Sequence, residues 1–441
     1  MTQPPAPSAI ELATAHALAW LVVGNAVGLL LAGLQLLPGL NLALAPWTYG
    51  RWIPVHLNAQ LYGWTALPLV GLLLRLYGER QERAWLSRLA VSAWSAALAV
   101  GCLSWLAGES SGKPFLEWRG AARWALVAAM ALLAAALVAA FGRRLRRLPG
   151  AQRRSLAVVL AGALLAALIA IPAVTWWVTN PEVYPAYNPD SGGATGGSLL
   201  GSSLAVVAIF YLAPAAIGLV PRGGWRALLP DLALLGLHGG WFALLDHGNH
   251  SHHEWLQIAS LASLAIWPLL LLRFFRRFAW PSSQRLWLRA LAWWGCLLVA
   301  TGILVFLPGV LERAKFTNAL VAHAHLAMAG MASSFLMLVI GGLAPGGQLR
   351  RAIGSRRAFW LWQLGGALQI LALIALAVLE VSDSGALIRG GGVGAGLLSA
   401  RLLAGVLMFW ASLEWLRAAV RRRPVGSFEG SVGLAAAEVA V

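Results

Sequence analysis

The chain has 441 residues, of which 59% are hydrophobic and only 11% are charged, and its formal net charge is +17. Since a soluble domain carries about 25% charged residues, this composition excludes a soluble globular protein and indicates a protein built for lipid. The two cysteines, Cys102 and Cys296, both lie in apolar runs, which excludes a disulfide framework.

Twelve apolar segments each approach the roughly 20 residues that a helix needs to cross a bilayer. They predict an all-α integral membrane protein, with residues 1–441 forming a single transmembrane domain and residues 424–441 a cytoplasmic tail. No soluble domain fits between the helices. The predicted spans are 12–38, 54–77, 84–107, 120–142, 155–178, 199–220, 228–247, 255–274, 286–308, 317–343, 358–380 and 395–419.

Arginines accumulate at the ends of the even-numbered spans, as in "RRLRRLPGAQRR" at 143–154. Of the 33 lysines and arginines, 25 lie on that side and 8 on the other. The positive-inside rule therefore predicts that both termini are cytoplasmic, in a bacterial-type inner (plasma) membrane. Because the charge follows the helix ends, it does not indicate a nucleic-acid partner.

The nine histidines are not scattered. His16 is alone in the first span and is interpreted as a hydrogen-bonded polar residue. The other eight lie in three places: His56 in the second span; His238, His247, His250, His252 and His253 in and after the seventh; His323 and His325 in the tenth. At a rise of 1.5 Å per residue, the histidines of the second and tenth spans lie about 3–12 Å below the outer boundary. The seventh span ends at that same surface.

His323 and His325 are two residues apart, which is a rotation of about 200° on a helix, so one metal cannot bind both. Such histidines can simply hydrogen-bond between helices. Imidazole also suits iron and copper, and haem iron takes one or two axial ligands. One of the two histidines would then share a haem with His56, and the other would hold a second haem by a single bond.

Two segments carry a resemblance to a known family. "RWIPVHLNAQLYGW" at 51–64 and "VAHAHLAMAG" at 321–330 resemble the helix-2 and helix-10 segments of haem-copper oxidase subunit I. They are closest to the C-family (cbb-type) cytochrome c oxidases and the nitric oxide reductase large subunits. The resemblance covers most of the chain and implies a twelve-transmembrane-helix bundle of haem-copper oxidase subunit I type.

The same resemblance assigns the haem ligands. It implies that His56 and His325 are the axial pair of a low-spin, b-type haem, and that His323 is the single ligand of a catalytic, high-spin haem. Haem propionates need cationic partners. Arg51 and Arg313 are the cofactor-binding candidates, with ordinary anchoring at the membrane interface as the alternative.

The copper site of the family is not matched. Ala194 stands where a helix-6 histidine is expected, and the region after the seventh span reads "DHGNHSHHE". Asp246, His247 and His250 could form a rebuilt site for iron, copper or zinc, because they share faces if the helix continues. Alternatively, the helix ends at the Gly-Asn dipeptide and the histidines form a polar cap.

The resemblance implies a haem-binding oxidoreductase subunit of a respiratory-type complex that reduces a small gas, oxygen or nitric oxide. The chain has no Cys-x-x-Cys-His motif and no cupredoxin domain, so a cytochrome c-like or cupredoxin-like subunit is the expected outer-side electron donor. One alternative is a non-catalytic haem subunit for electron transfer or sensing. Another is a haem-free transporter or structural subunit, although the paired broken helices of transporters are missing.

Overall fold

The computed structural model describes residues 7–78, 85–344, 347–385 and 391–421, and forms no β-sheet within them. In this part of the chain, twelve helices are long and apolar enough to span a membrane, one for each predicted segment, so the all-helical membrane fold is confirmed. The predicted tail, 424–441, lies outside the described residues. The helices are α1 Ala9–Leu36, α2 Tyr49–Leu76, α3 Trp85–Leu106, α4 Gly120–Arg147, α5 Leu156–Val178, α6 Gly196–Ala216, α7 Arg226–Leu244, α8 Trp255–Arg276, α9 Ser282–Phe306, α10 Asn318–Leu343, α11 Arg356–Ser382 and α12 Gly392–Val420.

Polar caps explain why some helices begin earlier than hydropathy alone predicts. At the start of α1, the Ser8 hydroxyl accepts a hydrogen bond from the Glu11 backbone N–H (3.2 Å), and the Glu11 carboxylate accepts from the Ser8 backbone N–H (2.8 Å). This reciprocal pair satisfies N–H groups that have no partner within the helix. The helix therefore begins at Ala9, three residues before the predicted start.

Helices α2 and α10 form the centre of the bundle. In their most apolar stretches, 56% and 67% of the residues are buried, against 11% in α5, α7 and α9. Helix α2 packs on α1, α3 and α10, while α10 also packs on α9 and α11. His56, His323 and His325 therefore lie on the two most enclosed helices, and the peripheral helices leave apolar faces for lipid.

The loops that follow α3, α5, α7 and α9 meet at one end of the bundle, which we call the histidine end. Lys113 Nζ donates to the Asn180 carbonyl (2.8 Å), joining the first two loops. His252, in the loop after α7, contacts both the Asn188 amide in the loop after α5 (3.0 Å) and the Glu312 carboxylate in the loop after α9 (2.8 Å), so it joins three of the loops. Loops from distant parts of the sequence are thus held together by polar contacts.

The backbone is not helical at either of the two segments that correspond to the copper site of the haem-copper oxidases. Helix α7 ends at Leu244, and residues 245–254 are not helical. The continued helical face that the rebuilt-site alternative requires for Asp246, His247 and His250 is therefore not formed, and the chain leaves the helix before these residues, as the polar-cap alternative requires. Ala194 precedes the N-cap of α6, Thr195, whose hydroxyl accepts the Ser198 backbone N–H, so this alanine lies outside the helix.

Candidate functional site

The strongest candidate site is a pair of facing imidazoles in the centre of the bundle. The His56 ring on α2 and the His325 ring on α10 have centroids 6.4 Å apart, and their planes differ by only 25°. They come from segments more than 260 residues apart in the sequence, as the residue numbers show. The packing of α2 on α10 is what brings them together.

Each of these rings is held through its Nδ1 atom. His56 Nδ1 lies 2.8 Å from the Gly24 carbonyl oxygen of α1, and His325 Nδ1 lies 2.8 Å from the Val321 carbonyl oxygen one turn earlier in α10. A carbonyl oxygen only accepts hydrogen bonds, so each Nδ1 carries the ring proton. Each Nε2 therefore keeps its lone pair, which is the form of histidine that binds metal.

The spacing of the rings suits a metal ion between them. Bonds from metal to imidazole nitrogen are about 2 Å long, so two imidazoles on opposite sides of one ion would have centroids roughly 6 Å apart. The observed separation is 6.4 Å. The Gln369 amide nitrogen lies 3.5 Å from His325 Nε2, at the limit of a hydrogen bond. Iron with two neutral imidazole ligands fits this donor set.

Glycines of α1 make the space for the His56 ring. A Cβ atom at Gly28 would lie 3.0 Å from His56 Cε1, and one at Gly24 would lie 2.6 Å from the amide nitrogen of Gln60. A side chain at either position would therefore push the ring or its neighbour away. The same two glycines are four residues apart, on one face of the helix.

A π-helical segment follows each histidine of the pair. It covers Ala59–Thr65 in α2 and Leu326–Ala332 in α10. Ser333 donates a hydrogen bond to the Met328 carbonyl (2.8 Å), and Trp64 Nε1 donates to the Ser333 hydroxyl (2.9 Å). The two segments are thus directly linked. Such π-segments are rare and are frequent at functional sites.

Arg401 on α12 is a buried cation in the same region. It is 8% exposed, one guanidinium nitrogen donates to the Gln35 side-chain oxygen, and the Gln35 amide donates to the Tyr49 hydroxyl (2.8 Å). The Nε atom of Arg401 has no hydrogen-bond partner among the described residues. A buried guanidinium with a free N–H is suited to an anionic group such as a propionate.

His323 faces a different part of the bundle from His325, as predicted. Its Nδ1 lies 3.1 Å from the Thr301 hydroxyl of α9, and that hydroxyl donates to the Leu297 carbonyl (2.8 Å). Thr301 therefore accepts the proton of His323 Nδ1, which leaves Nε2 with a lone pair. A Cβ atom at Gly302 would lie 3.2 Å from His323 Cε1, so glycine gives this ring its space on α9.

The two predicted propionate partners have other surroundings. Arg51 donates to the Leu106 carbonyl oxygen (2.8 Å) at the end of α3, and its guanidinium lies against Gly108. Arg313 is exposed, in the loop between α9 and α10. Arg401 is the cation that sequence reasoning missed, although an arginine inside an apolar span is itself a signal, because charge is costly there.

Two of the three predicted second-metal residues, Asp246 and His250, form an ion-paired group with Glu254. His250 lies between Glu254 (2.8 Å) and Asp246 (3.4 Å). The Glu254 carboxylate accepts from His250 and raises the pKa of that imidazole. The Gly248 N–H and then His250 lower the pKa of the Asp246 carboxyl. His247 is exposed, with its ring centroid 4.7 Å from that of Phe242.

Two further histidines within helices, His16 and His238, have protein partners. His16 Nδ1 lies 2.7 Å from the Ser95 hydroxyl, and His238 Nδ1 accepts the Trp267 indole N–H (2.9 Å). The interpretation of His16 as a hydrogen-bonded polar residue is confirmed, and His238 is likewise hydrogen-bonded within the bundle.

No protein-family model matches this sequence, and no significantly similar curated protein was found. The function is therefore inferred from the residues of the chain itself. Those residues offer one pair of facing imidazoles, one further imidazole directed towards α9, and a buried cation.

Proposed function

We propose that this chain is a haem-binding membrane oxidoreductase subunit, with a low-spin haem held between His56 and His325. The observation that carries the proposal is the facing pair: two imidazoles 6.4 Å apart, each with Nδ1 fixed by a backbone carbonyl and Nε2 left to bind metal. Bound there, a haem would supply a one-electron redox centre.

The chain's own residues would then do three things. His56 and His325 hold the iron, and their carbonyl partners keep the rings in the metal-binding tautomer. Arg401 offers its free Nε–H and positive charge to a propionate. Helices α2 and α10 are the most enclosed of the bundle, and this position would lower the local dielectric around a bound redox group.

His323 is the proposed ligand of a second, high-spin haem, which would bind oxygen or nitric oxide at its open face. In this proposal the histidine end faces outwards, where a donor subunit of cytochrome c or cupredoxin type delivers electrons. A second candidate function is haem electron transfer or sensing without catalysis. One observation that favours it is Ala194, which lies outside α6 and cannot bind a metal. The other is that Asp246, His250 and Glu254 pair with one another, so they are not free to bind a metal together with His247.

Optical and EPR spectra of the purified, full-length protein test the first haem. We expect the wild type to show a low-spin, bis-histidine signal, and His56→Ala and His325→Ala each to lose it. His16→Ala is the matched control, since His16 is also a histidine within a helix but has Ser95 as its partner. If both pair variants keep the wild-type low-spin spectrum, the assignment of this haem is wrong.

Carbon monoxide separates the two candidate functions. Binding of the gas to the reduced protein, lost in His323→Ala while the low-spin signal stays, would support a second haem with an open face. Oxygen or nitric oxide consumption by the wild type would then support catalysis. A low-spin haem without carbon monoxide binding would support electron transfer alone.

A further inference from the structure

A second group of histidines and carboxylates lies at the histidine end, away from the facing pair. It is assembled from three loops: Asp190 comes from the loop between α5 and α6, His252 and His253 from the loop between α7 and α8, and Glu312 from the loop between α9 and α10. His252 is completely buried, at 0% exposure. A fully buried imidazole in a loop needs polar partners on its ring nitrogens.

The contacts of this group all converge on His252 and Glu312. His252 Nε2 lies 2.8 Å from Glu312 Oε1, and His253 Nε2 lies 2.9 Å from the same oxygen. On the other edge of the ring, His252 Nδ1 lies 3.7 Å from Asp190 Oδ2. Asp190, His252 and His253 each offer a ligand atom within 4.8 Å of the others.

The carboxylates of this group are themselves anchored. The Gly309 N–H donates to Glu312 (2.6 Å), and the Ser251 hydroxyl donates to the Asp190 carboxylate. These N–H and O–H donors orient the acids in the way that outer-shell groups orient metal ligands.

We propose that Asp190, His252 and His253 bind one divalent metal ion of the zinc class, while Glu312 holds His252 through the ring nitrogen on the other edge. Two imidazoles and one carboxylate, with water in the fourth position, are a known ligand set for zinc, and a carboxylate on the second nitrogen of a ligand histidine is a common outer-shell partner. Around a tetrahedral zinc with bonds of about 2.0 Å, neighbouring ligand atoms lie roughly 3.3 Å apart. The ligand atoms of the three residues already lie within 4.8 Å of one another, and His252 Nδ1 lies 3.7 Å from Asp190 Oδ2, so movements of the partly exposed side chains suffice for binding.

Such an ion would join the three loops at the histidine end. Its ligands come from the loop before α6 and the loop before α8, and Glu312, in the loop before α10, contacts both ligand histidines, so the ion would fix the positions of these three loops relative to one another. The site is independent of haem, because neither its three ligands nor Glu312 is one of the proposed haem ligands.

Zinc titration of the EDTA-treated, tag-free, full-length protein in detergent tests this site by calorimetry. We expect one zinc per chain. The variants Asp190→Asn and His253→Ala should each lower the affinity at least tenfold, since each removes a ligand. Both side chains are partly exposed, at 42% and 54%, so these changes should leave folding intact, which thermal unfolding without zinc would check. His252→Ala is avoided because that ring is buried.

His250→Ala is the matched control, because His250 belongs to the same loop but pairs with Asp246 and Glu254. It should bind zinc like the wild type. The proposal is overturned if the wild type binds no stoichiometric zinc, or if stoichiometric binding survives Asp190→Asn and His253→Ala unchanged. It is also overturned if His250→Ala weakens binding as much as His253→Ala does, since the zinc would then be bound by surface histidines at large.

Discussion

The His56 ring lies against the backbone of α1, with Nδ1 on the Gly24 carbonyl and Cε1 next to Gly28. Gly24 and Gly28 therefore set the orientation of the ring, and a side chain at either position would displace the ring or its neighbour Gln60. His325 is held instead by its own helix, through Val321. A carbonyl of a neighbouring helix in one case and a carbonyl of the same helix in the other give the same result, an imidazole with Nε2 free to bind metal.

Glu117, in the loop between α3 and α4, is a buried carboxyl group near this site. It is 4% exposed, and its carboxyl accepts a hydrogen bond from the side-chain amide of Asn58, two residues after His56 (2.9 Å). Burial removes the group from water and raises the pKa of Glu117 above its usual value of 4.5. At pH values between the pKa of the unfolded chain and the higher pKa of the folded protein, the folded protein therefore keeps a Glu117 proton that the unfolded chain releases.

This difference predicts a pH-dependent stability. As pH rises above 4.5, the unfolded chain loses the Glu117 proton first, so the contribution of this group to folding stability falls until the folded pKa is passed. Glu117→Gln removes the effect. We expect the melting temperature of this variant in detergent, relative to wild type, to increase between pH 4.5 and 7.5. Glu109→Gln, an exposed glutamate of the same loop, should show a constant difference; a constant difference for Glu117→Gln would contradict the prediction.

The π-helical segments change the central helices at the level of the element. Each begins within three residues of a histidine of the facing pair and ends near a hydroxyl side chain, Thr65 in α2 and Ser333 in α10. Thr65 donates to the Gln60 carbonyl (3.0 Å), as Ser333 does to Met328. These hydroxyls satisfy carbonyls at the places where the helix changes its hydrogen-bond register.

Removing the link between the two segments should destabilise the bundle. Ser333→Ala leaves the Trp64 indole N–H, which is buried between α2 and α10, without its acceptor. Hydrogen bonds between membrane helices contribute about 0.6 kcal/mol on average and up to about 1.7 kcal/mol, and a buried donor left unpaired adds to the loss. We expect a loss of about 1–2 kcal/mol in the free energy of unfolding, measured by SDS titration in mixed micelles.

Ser334→Ala is the control for that measurement. Ser334 is equally buried, but its hydroxyl only bonds back to the Gly330 carbonyl of its own helix (2.7 Å). Its removal should cost clearly less than the removal of the neighbouring hydroxyl. Equal losses for the two variants would show that the link through Trp64 contributes nothing of its own.

The molecule as a whole separates a polar interior from an apolar surface. Polar side chains join α1, α2 and α12 in the interior: Gln60 Nε2 donates to Asn25 Oδ1 (3.2 Å), and Asn25 Nδ2 donates to the Ser412 hydroxyl (3.2 Å). Such bonds suit a membrane bundle, because lipid gives no hydrophobic drive for helices to associate. Apart from His16, the histidines lie towards the histidine end of the bundle, and most arginines lie at the opposite ends of the helices.

The arginine asymmetry predicts the orientation in the membrane. Reporter fusions after Arg147 and after Arg423 should both report cytoplasm, because the even-numbered helix ends carry most of the positive charge. A fusion after Lys113, in the loop between α3 and α4, should report the opposite side. A periplasmic signal after Arg147 would reverse the orientation and remove the outer-side electron donor from the proposed function.

Much of the architecture could be predicted from the sequence. Hydropathy determines the number of spans, because a helix must be long enough to cross the bilayer and lipid tolerates little else. The helical period then determines that His323 and His325 face apart, and chain position determines that His56 lies at a similar depth. These predictions need only local geometry, so they could be made without knowing which helices are neighbours.

The contacts between residues that are far apart in the sequence were decided by the tertiary structure. Arg401 meets Gln35 across 366 residues of sequence, and His252 meets Glu312 across 60, and no periodic pattern relates such pairs. Of the two alternatives for Asp246 and its neighbouring histidines, the shared helical face is not formed because the helix ends at Leu244, and irregular backbone has no period from which side-chain directions follow. Contacts between distant segments depend on how helices pack and loops meet, which a single sequence does not encode in its local order.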